Sequence, residues 1–281
     1  MPTKEREFSA TTPDGELVGW LREADGAQGN ALLLHGGPGL SEYLSTLSDE
    51  LDGGLTTARY QQRGLAPSAI AGGASIEGHV ADAVAVMDAL GWHKPNVIGH
   101  SWGGHLALHL AAAHPERIGA LVILDSLGAT GDGGQAAFGP ALRAGLSAAD
   151  LARLEELEQI EEPTEDEQRE HLGTLWPQYF GDPASAPPMP PLRFATNGGQ
   201  TWESIQAHFE ARTLEQALPS MSMPTLIVHG SRSPIPLEQA EQMAALMPNA
   251  TLVVHDGKGH WAWLEEPGFI RAQLAGFLAS N

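Results

Sequence analysis

The sequence contains no cysteine, few basic residues and no long apolar run. Without cysteine, the chain can form no disulfide, no thiolate nucleophile and no cysteine-ligated metal site. Only 15 Lys and Arg stand against 35 Asp and Glu, which gives a formal net charge of −20. Nucleic acid and anionic membrane surfaces are therefore unsuitable partners, because phosphate binding needs clustered cationic side chains.

The beginning of the chain is polar. Residues 1–16, MPTKEREFSATTPDGE, lack the apolar core of a signal peptide, and no apolar segment approaches the ~20 residues of a membrane-spanning helix. We expect a cytoplasmic protein that acts on a small molecule. The length of 281 residues is enough for one large α/β domain with an insertion. Nothing in the sequence indicates an oligomeric state.

Short apolar segments alternate with helical patterns along much of the chain. Such alternation predicts a mostly parallel sheet of about eight strands, with helices on both faces. Residues 5–26 read as an opening hairpin that turns at Asp14-Gly15. The other predicted strands are Ala31–Gly36, Leu55–Tyr60, Asn96–Ser101, Ala120–Asp125, Thr225–Gly230 and Thr251–Asp256.

The alternation stops between about Gly128 and Pro219. This segment has a glycine-rich start, an acidic helical stretch, a proline-rich stretch and a further helical stretch, but no convincing strand. We therefore expect a core domain formed by residues 1–127 and 220–281, with residues 128–219 inserted as a mainly helical lid.

The strongest functional signal is VIGHSWGGHLAL, in which Gly99-x-Ser101-x-Gly103 lies between a predicted strand and a predicted helix. A sharp turn from strand to helix crowds the backbone, so glycine is needed on both sides, and the turn exposes the serine hydroxyl. The positive end of the following helix, which starts at Trp102, points toward the site. We predict that Ser101 is a nucleophile.

A serine that attacks an acyl group needs hydrogen-bond donors for the oxyanion. LLLHGGPG, Leu32 to Gly39, ends an early strand in a glycine-rich loop, where backbone N–H groups can approach the developing charge. We predict that the N–H groups of Gly37 and Trp102 form the oxyanion hole. The loop is too short for a phosphate-binding P-loop, and it lacks the lysine of one.

A general base is expected late in the chain. His260 follows Gly259 in the loop after the last predicted strand, which gives the order serine, acid, histidine. His105 and His109 lie one helical turn apart, but a metal site would need a third ligand that the sequence does not supply. We expect neither a metal nor another cofactor.

These motifs together resemble a known family. HGGPG, YQQRGLAPS, GHSWGG and GKGHW occur in the order seen in the α/β-hydrolase fold, and the first two are most similar to proline iminopeptidases. The resemblance implies a sheet of about eight strands, a lid over the site, no cofactor, and Ser101 and His260 as nucleophile and base. The chain departs from the family pattern at Gln61, where the family commonly has aspartate.

A second departure concerns the acid of the triad. The family carries an aspartate in the loop after the seventh strand, where this chain has HGSRSP, with Ser231, Arg232 and Ser233 in the corresponding places. The base needs an acceptor on its second ring nitrogen. Asp125 ends the strand expected beside that of the serine. We predict that Asp125 hydrogen-bonds directly to His260, with Asp132 and Asp256 as alternatives.

The predicted reaction is hydrolysis of an ester, lactone or related acyl bond of a small molecule through Ser101, His260 and Asp125. An aminopeptidase of the proline iminopeptidase type is one alternative, in which lid glutamates would hold the substrate amine. A catalytically weak ligand-binding protein on the same fold is another, since the acid of the usual position is missing. Six lid aromatics are candidates for an apolar pocket, namely Trp176, Tyr179, Phe180, Phe194, Trp202 and Phe209.

Overall fold

The computed structural model describes residues 5–68, 70, 72–195 and 198–280. Residues 1–4, 69, 71, 196, 197 and 281 belong to the domain ranges expected from the sequence and lie outside the described residues.

One eight-stranded sheet forms the centre of the molecule, in the order β1-β2-β4-β3-β5-β6-β7-β8. The first two strands form the antiparallel hairpin, β2 also pairs antiparallel with β4, and β3 to β8 are parallel. The predicted fold class is confirmed. The strands are β1 (Glu5–Thr12), β2 (Gly15–Arg22), β3 (Asn30–Leu34), β4 (Thr56–Tyr60), β5 (Asn96–His100), β6 (Leu121–Leu124), β7 (Thr225–Gly230) and β8 (Ala250–His255).

The central strands are buried on both faces, which explains why they read as continuous apolar runs. All four residues of β6, LVIL, are buried. In β3, Leu32 and Leu34 belong to the apolar cluster on one face of the sheet, whereas Leu33 belongs to the cluster on the other face. Successive side chains of a strand point to opposite faces, so each strand supplies both cores.

Helices cover the two faces. None of the described helices has the length and apolar character needed to cross a membrane. The helices are α1 (Ser45–Glu50), α2 (Ile76–Ala89), α3 (Trp102–Ala113), α4 (Gln135–Arg143), α5 (Ala148–Glu158), α6 (Glu165–Leu175), α7 (Gly198–Glu210), α8 (Thr213–Ala217), α9 (Leu237–Leu246), α10 (Ala262–Glu265) and α11 (Phe269–Ala279).

The segment between β6 and β7 contains α4 to α8. Its acidic helix α6 begins with a capping box, in which Thr164 and Glu167 satisfy each other's backbone N–H groups. Leu142, Leu154 and Leu175 form a small apolar cluster of their own within this segment. The division of the chain into a core and a lid remains a prediction from the sequence.

Candidate active site

Ser101 lies at the turn between β5 and α3, with φ 57° and ψ −124°. A residue other than glycine rarely adopts a positive φ, so the surrounding structure holds this serine in a strained conformation. The flanking glycines are required by close backbone contacts. A Cβ on Gly99 would lie 2.2 Å from the Gly103 carbonyl oxygen, and one on Gly103 would lie 2.0 Å from the Leu34 carbonyl oxygen.

The glycine-rich loop after β3 packs directly against the serine. A Cβ on Gly36 would lie 2.6 Å from the Ser101 Cβ, so only glycine fits there. Gly37 has a φ of 61°, and the Leu40 N–H donates to its carbonyl oxygen at 2.8 Å to close a tight turn. The turn brings Gly37 to the edge of the same cavity as Ser101 and Trp102.

Gln62 connects this loop to the nucleophile helix. Its amide nitrogen donates to the His35 carbonyl oxygen at 2.8 Å, and its amide oxygen accepts from the Trp102 indole N–H at 2.9 Å. The next residue, Arg63, forms a buried ion pair with Asp82 of α2, with contacts of 2.7 and 2.6 Å. The motif that follows β4 therefore fixes the relative positions of the two candidate oxyanion donors.

His260 lies in the loop between β8 and α10, and only 2% of it is exposed. Its backbone N–H donates to the Tyr179 carbonyl oxygen at 2.7 Å, which ties the loop to the segment between β6 and β7. Burial lowers the pKa of the His260 imidazole well below its usual value, and His100 and His229 lower it further. The imidazole is therefore neutral at neutral pH, as a general base must be.

A cavity of about 220 Å³ brings four of the predicted site residues together. Gly37, Ser101, Trp102 and His260 all line it. The described residues form no hydrogen bond between the Ser101 hydroxyl and the imidazole, whose ring contact is to Ser233. Such catalytic contacts are often long without substrate and tighten when substrate binds.

Asp125 follows β6, which pairs with β5, so the predicted neighbourhood of the two strands is confirmed. The direct hydrogen bond predicted between Asp125 and His260 is not formed. Asp125 Oδ1 instead accepts from the Gly230 N–H at 2.9 Å and lies 3.6 Å from His229 Nδ1. Among the described residues, its buried Oδ2 has no hydrogen-bond partner. The turn after β6 holds Asp125 at φ 43° and directs the carboxylate to the end of β7, short of His260.

Ser233 lies between them and was missed by the sequence analysis as a functional residue. Its Oγ lies 3.4 Å from His260 Nδ1. The available signal was its position, which is that of the family aspartate. A carboxylate is the usual acceptor at this position, but a hydroxyl oxygen can also accept a hydrogen bond from an imidazole.

Tyr43 and His100 were also missed. His100 directly precedes the nucleophile in the sequence, and its Nδ1 lies 2.7 Å from the Tyr43 hydroxyl. The Tyr43 oxygen accepts a hydrogen bond from the Gly36 N–H at 2.7 Å. Its position beside Ser101 was the one signal for His100. Tyr43 carries no sequence signal of its own, because its contacts join segments far apart in the chain.

The six aromatics of the predicted lid divide into two groups. Trp176, Tyr179 and Trp202 line the cavity of Ser101. The other three do not line it: Phe180 packs in the core, Phe194 borders a second cavity and Phe209 packs against His105.

The alternative acids have other partners. Asp132 accepts from the N–H groups of Gly134 and Ala136 at the start of α4. Asp256, in the loop after β8, accepts from the hydroxyl of Ser231, in the loop after β7, at 3.2 Å. Neither contact involves His260.

The two histidines of α3 face each other, with 3.3 Å between His105 Nε2 and His109 Nε2. His105 Nδ1 contacts the Gly128 carbonyl oxygen at 3.1 Å. Within the described ranges, no group of three or more His, Cys, Asp or Glu side chains is arranged to hold a metal ion.

Comparison with known proteins agrees with this fold. The family model described as alpha/beta hydrolase fold matches residues 32–267. A 2-hydroxymuconate semialdehyde hydrolase of Pseudomonas putida is 31% identical over 209 residues, 71% of this chain and 68% of the relative. Two similar solved structures are a proline iminopeptidase of Mycobacterium smegmatis and an enol-lactonase of Burkholderia xenovorans LB400. The first has a TM-score of 0.70 and 23% identity and covers 98% of each chain. The second has a TM-score of 0.66 and 19% identity and covers 96% of this chain and 99% of the other. The protein belongs to the alpha/beta hydrolase fold family.

Proposed function

We propose that this protein is a serine hydrolase that cleaves an ester or lactone bond of a small, uncharged and mainly apolar substrate. The observation that carries the proposal is the single cavity that contains a strained serine, a buried neutral histidine and the turns of two candidate oxyanion donors.

The reaction follows from these positions. The Ser101 hydroxyl attacks the carbonyl carbon and passes its proton to Nε2 of His260. The oxyanion accepts hydrogen bonds from the backbone N–H groups of Gly37 and Trp102. The C–O bond to the alkoxide breaks as the imidazolium gives the proton to that oxygen, which leaves an acyl serine. The alcohol departs from an ester and stays attached to the acyl group of a lactone. Water then attacks the carbonyl carbon of the acyl serine, with His260 again as base, and the acid is released as Ser101 regains its proton.

The lining of the cavity indicates the substrate class. Most of the lining side chains are aliphatic or aromatic, and no Asp, Glu, Lys or Arg side chain is among the described residues that line it. A buried charge without a partner is costly, so a charged substrate group would be bound poorly there. The volume of about 220 Å³ is below the ~300–1,000 Å³ of drug-sized ligand sites. A small neutral acyl or alcohol group fits best.

The same lining argues against the aminopeptidase alternative. A substrate amine needs a carboxylate partner, and the acidic residues of α5 and α6 that the structure describes lie outside this cavity. Several of them form ion pairs on the protein surface, such as Glu170 with Arg153 and Glu158 with Arg143. The muconate compound named for the Pseudomonas relative is a carboxylate. Its carboxylate would lack a cationic partner in this cavity, so we do not assign that substrate to this chain.

The test compares matched esters. We expect p-nitrophenyl butyrate to be hydrolysed with a kcat/KM at least ten times that of p-nitrophenyl hemisuccinate, which differs by a terminal carboxylate. Proline p-nitroanilide should be cleaved more slowly than either. A preference for the hemisuccinate or the anilide would contradict the substrate assignment.

A ligand-binding protein without useful catalysis is the second candidate, because His260 lacks a direct carboxylate partner. A fluorophosphonate probe separates the two, since only an activated serine reacts rapidly. Rapid labelling of the wild-type protein, abolished in Ser101→Ala, supports the hydrolase. No labelling of the wild-type protein would favour the binding protein.

A further inference from the structure

The end of β7 connects Asp125 to the loop that carries Ser233. β6 and β7 are adjacent and parallel, and the Asp125 N–H donates to the Val228 carbonyl oxygen at 2.9 Å. Gly230 donates its N–H to Asp125 Oδ1 at 2.9 Å, and its carbonyl oxygen accepts from the Ser233 N–H at 3.0 Å. Gly230 is therefore held through both of its backbone polar groups: Asp125 binds its N–H group, and the Ser233 N–H binds its carbonyl oxygen.

The same loop is also attached to the loop of His260. The Arg232 N–H donates to the Lys258 carbonyl oxygen at 2.8 Å, two residues before the histidine. The Ser233 Oγ lies 3.4 Å from His260 Nδ1 and 3.4 Å from the Ile235 N–H, which donates to it. The hydroxyl oxygen can thus accept from both nitrogens and still has one proton to donate.

An acceptor without a donor lies on the Asp125 side of Gly230. Asp125 Oδ2 is buried and has no hydrogen-bond partner among the described residues. Burial raises the pKa of the Asp125 carboxyl, and the Ser233 side chain is one of the groups that oppose this rise. An unsatisfied buried carboxylate oxygen is costly, so a hydroxyl donor for it would stabilise the carboxyl group.

We propose that Ser233 is a positioning residue that connects His260 to Asp125 through its hydroxyl. His260 Nδ1–H donates to Ser233 Oγ, and the Ser233 O–H donates to Asp125 Oδ2. No bond is made or broken in this chain, and Asp125 remains ionised. The relay rests on the proposed serine hydrolase function and specifies how this chain holds its base without the usual aspartate.

The direction of these bonds decides whether His260 can act. A serine hydroxyl free of Asp125 can donate its proton to Nδ1, which places the ring hydrogen on Nε2. That tautomer cannot accept the proton of Ser101. With its proton held by Asp125, the Ser233 hydroxyl can only accept from the ring. The hydrogen is then fixed on Nδ1 and the lone pair of Nε2 is free for catalysis.

The test combines Ser233→Ala, Asp125→Asn and the double variant. Loss of a direct acid costs roughly 10⁴-fold in turnover in well-studied triads, and we expect about 10²-fold here because one hydroxyl intervenes. The loss should fall on kcat with KM nearly unchanged. The double variant should be no slower than the slower single variant, because both changes break the same chain.

Controls distinguish positioning from a loss of structure. Ser231→Ala, two residues away in the same loop, should retain wild-type kcat. Ser233→Thr, which keeps a hydroxyl, should recover most of the activity lost in Ser233→Ala. Nitrogen-15 NMR of labelled histidine should show the His260 hydrogen on Nδ1 in the wild-type protein and a shift toward the Nε2–H form in Ser233→Ala.

The outcomes separate this relay from the hydrolase proposal. No labelling of the wild-type protein by the fluorophosphonate would overturn the hydrolase function itself. A wild-type protein that is labelled, together with a Ser233→Ala variant of unchanged kcat and unchanged tautomer, would overturn the relay alone. If Asp125→Asn does not fold, the comparison of Ser233→Ala with Ser233→Thr still shows whether activity depends on a hydroxyl at position 233, as the relay requires.

Discussion

His100 Nε2 lies 2.8 Å from the backbone carbonyl oxygen of His260, the residue proposed as the base. A carbonyl oxygen can only accept, so this nitrogen carries the ring hydrogen and Nδ1 accepts from the Tyr43 hydroxyl at 2.7 Å. The Tyr43 oxygen in turn accepts from the Gly36 N–H at 2.7 Å. Burial lowers the pKa of His100 to about 3, which keeps the ring neutral and the direction of these bonds fixed.

The first prediction concerns this chain of hydrogen bonds, which joins the oxyanion loop to the loop of the base. Tyr43→Phe leaves the Gly36 N–H without an acceptor and removes the donor to His100 Nδ1. We expect a loss of about 1–3 kcal/mol in the free energy of unfolding and a drop in kcat of roughly tenfold. Urea denaturation and ester hydrolysis measure the two effects.

Tyr60→Phe is the matched control. Tyr60 is also buried, but among the described residues its hydroxyl has no hydrogen-bond partner. Its removal should leave activity unchanged and stability equal or slightly higher. Equal effects of the two substitutions would show that the Tyr43 hydroxyl has no special role.

The second prediction concerns the strained backbone of Ser101. Ser101→Ala should abolish fluorophosphonate labelling and reduce ester hydrolysis to the background rate. Ser101→Gly should be as inactive, but more stable to urea than Ser101→Ala by about 1 kcal/mol, because glycine adopts positive φ without steric cost. A glycine variant less stable than the alanine variant would contradict the strain at this turn.

Local motifs predicted the part of the site that depends on local geometry. Ser101 and Gly37 occupy turns that only a few sequences can form, so the residue pattern itself indicates the structure. The alternation of apolar runs predicted the parallel sheet, because buried strands leave a clear pattern. Asp125 shows the limit of that reasoning. The order of strands placed it at the correct edge of the sheet, but the turn at φ 43° decides where its carboxylate points.

Residues whose role depends on contacts between distant segments could not be found in the same way. Ser233 meets His260 across 27 positions, and Tyr43 meets His100 across 57. Tyr43 lies in no motif with fixed spacing, and the only sequence signal of Ser233 is that it occupies the position of the family aspartate. Similarly, Trp176 lines the cavity and Phe180 does not, although both are lid aromatics four positions apart.

The third prediction concerns stability at mildly acidic pH. Burial lowers the pKa of His35 and His105 from 6.5 to about 4. It lowers the pKa of His79 and His100 to about 3. As the pH falls below about 6.5, these histidines bind protons in the unfolded chain but not in the folded chain. The free energy of unfolding is therefore highest above pH 6.5 and decreases as the pH falls. Urea denaturation at pH 7.5, 6.5 and 5.5 should show this decrease.

A pair of variants identifies the cause. Each buried histidine contributes up to ~1.4 kcal/mol per pH unit, so His79→Gln should reduce the slope by up to that amount. His93 is exposed, and His93→Gln should leave the slope unchanged. The range stops at pH 5.5 because carboxyls whose pKa burial raises, such as Asp82 and Asp125, oppose the effect at lower pH. Equal slopes for the two variants would exclude His79 as a contributor.

The fourth prediction concerns the pH dependence of kcat/KM. Burial, His100 and His229 hold the pKa of His260 well below 6.5, so the base stays neutral and activity should remain level from pH 8 down to 6.5. The decrease should begin only at lower pH. Protein kept at pH 7.5 and assayed briefly at each pH avoids the loss of stability.

Substitution of Ser233, which lies beside Nδ1 of His260, tests which group sets the acidic limb of the kcat/KM profile. Besides the Ser233 hydroxyl, the imidazole faces the rings of His100 and Tyr179. Ser233→Asp places a carboxylate next to Nδ1, which favours the imidazolium, so the acidic limb of kcat/KM should move to higher pH. Ser231→Asp adds the same charge two residues away, where Ser231 is exposed, and should leave the limb in place. An unmoved limb in Ser233→Asp, or an equal shift in both variants, would show that Ser233 does not face the titrating nitrogen of the base.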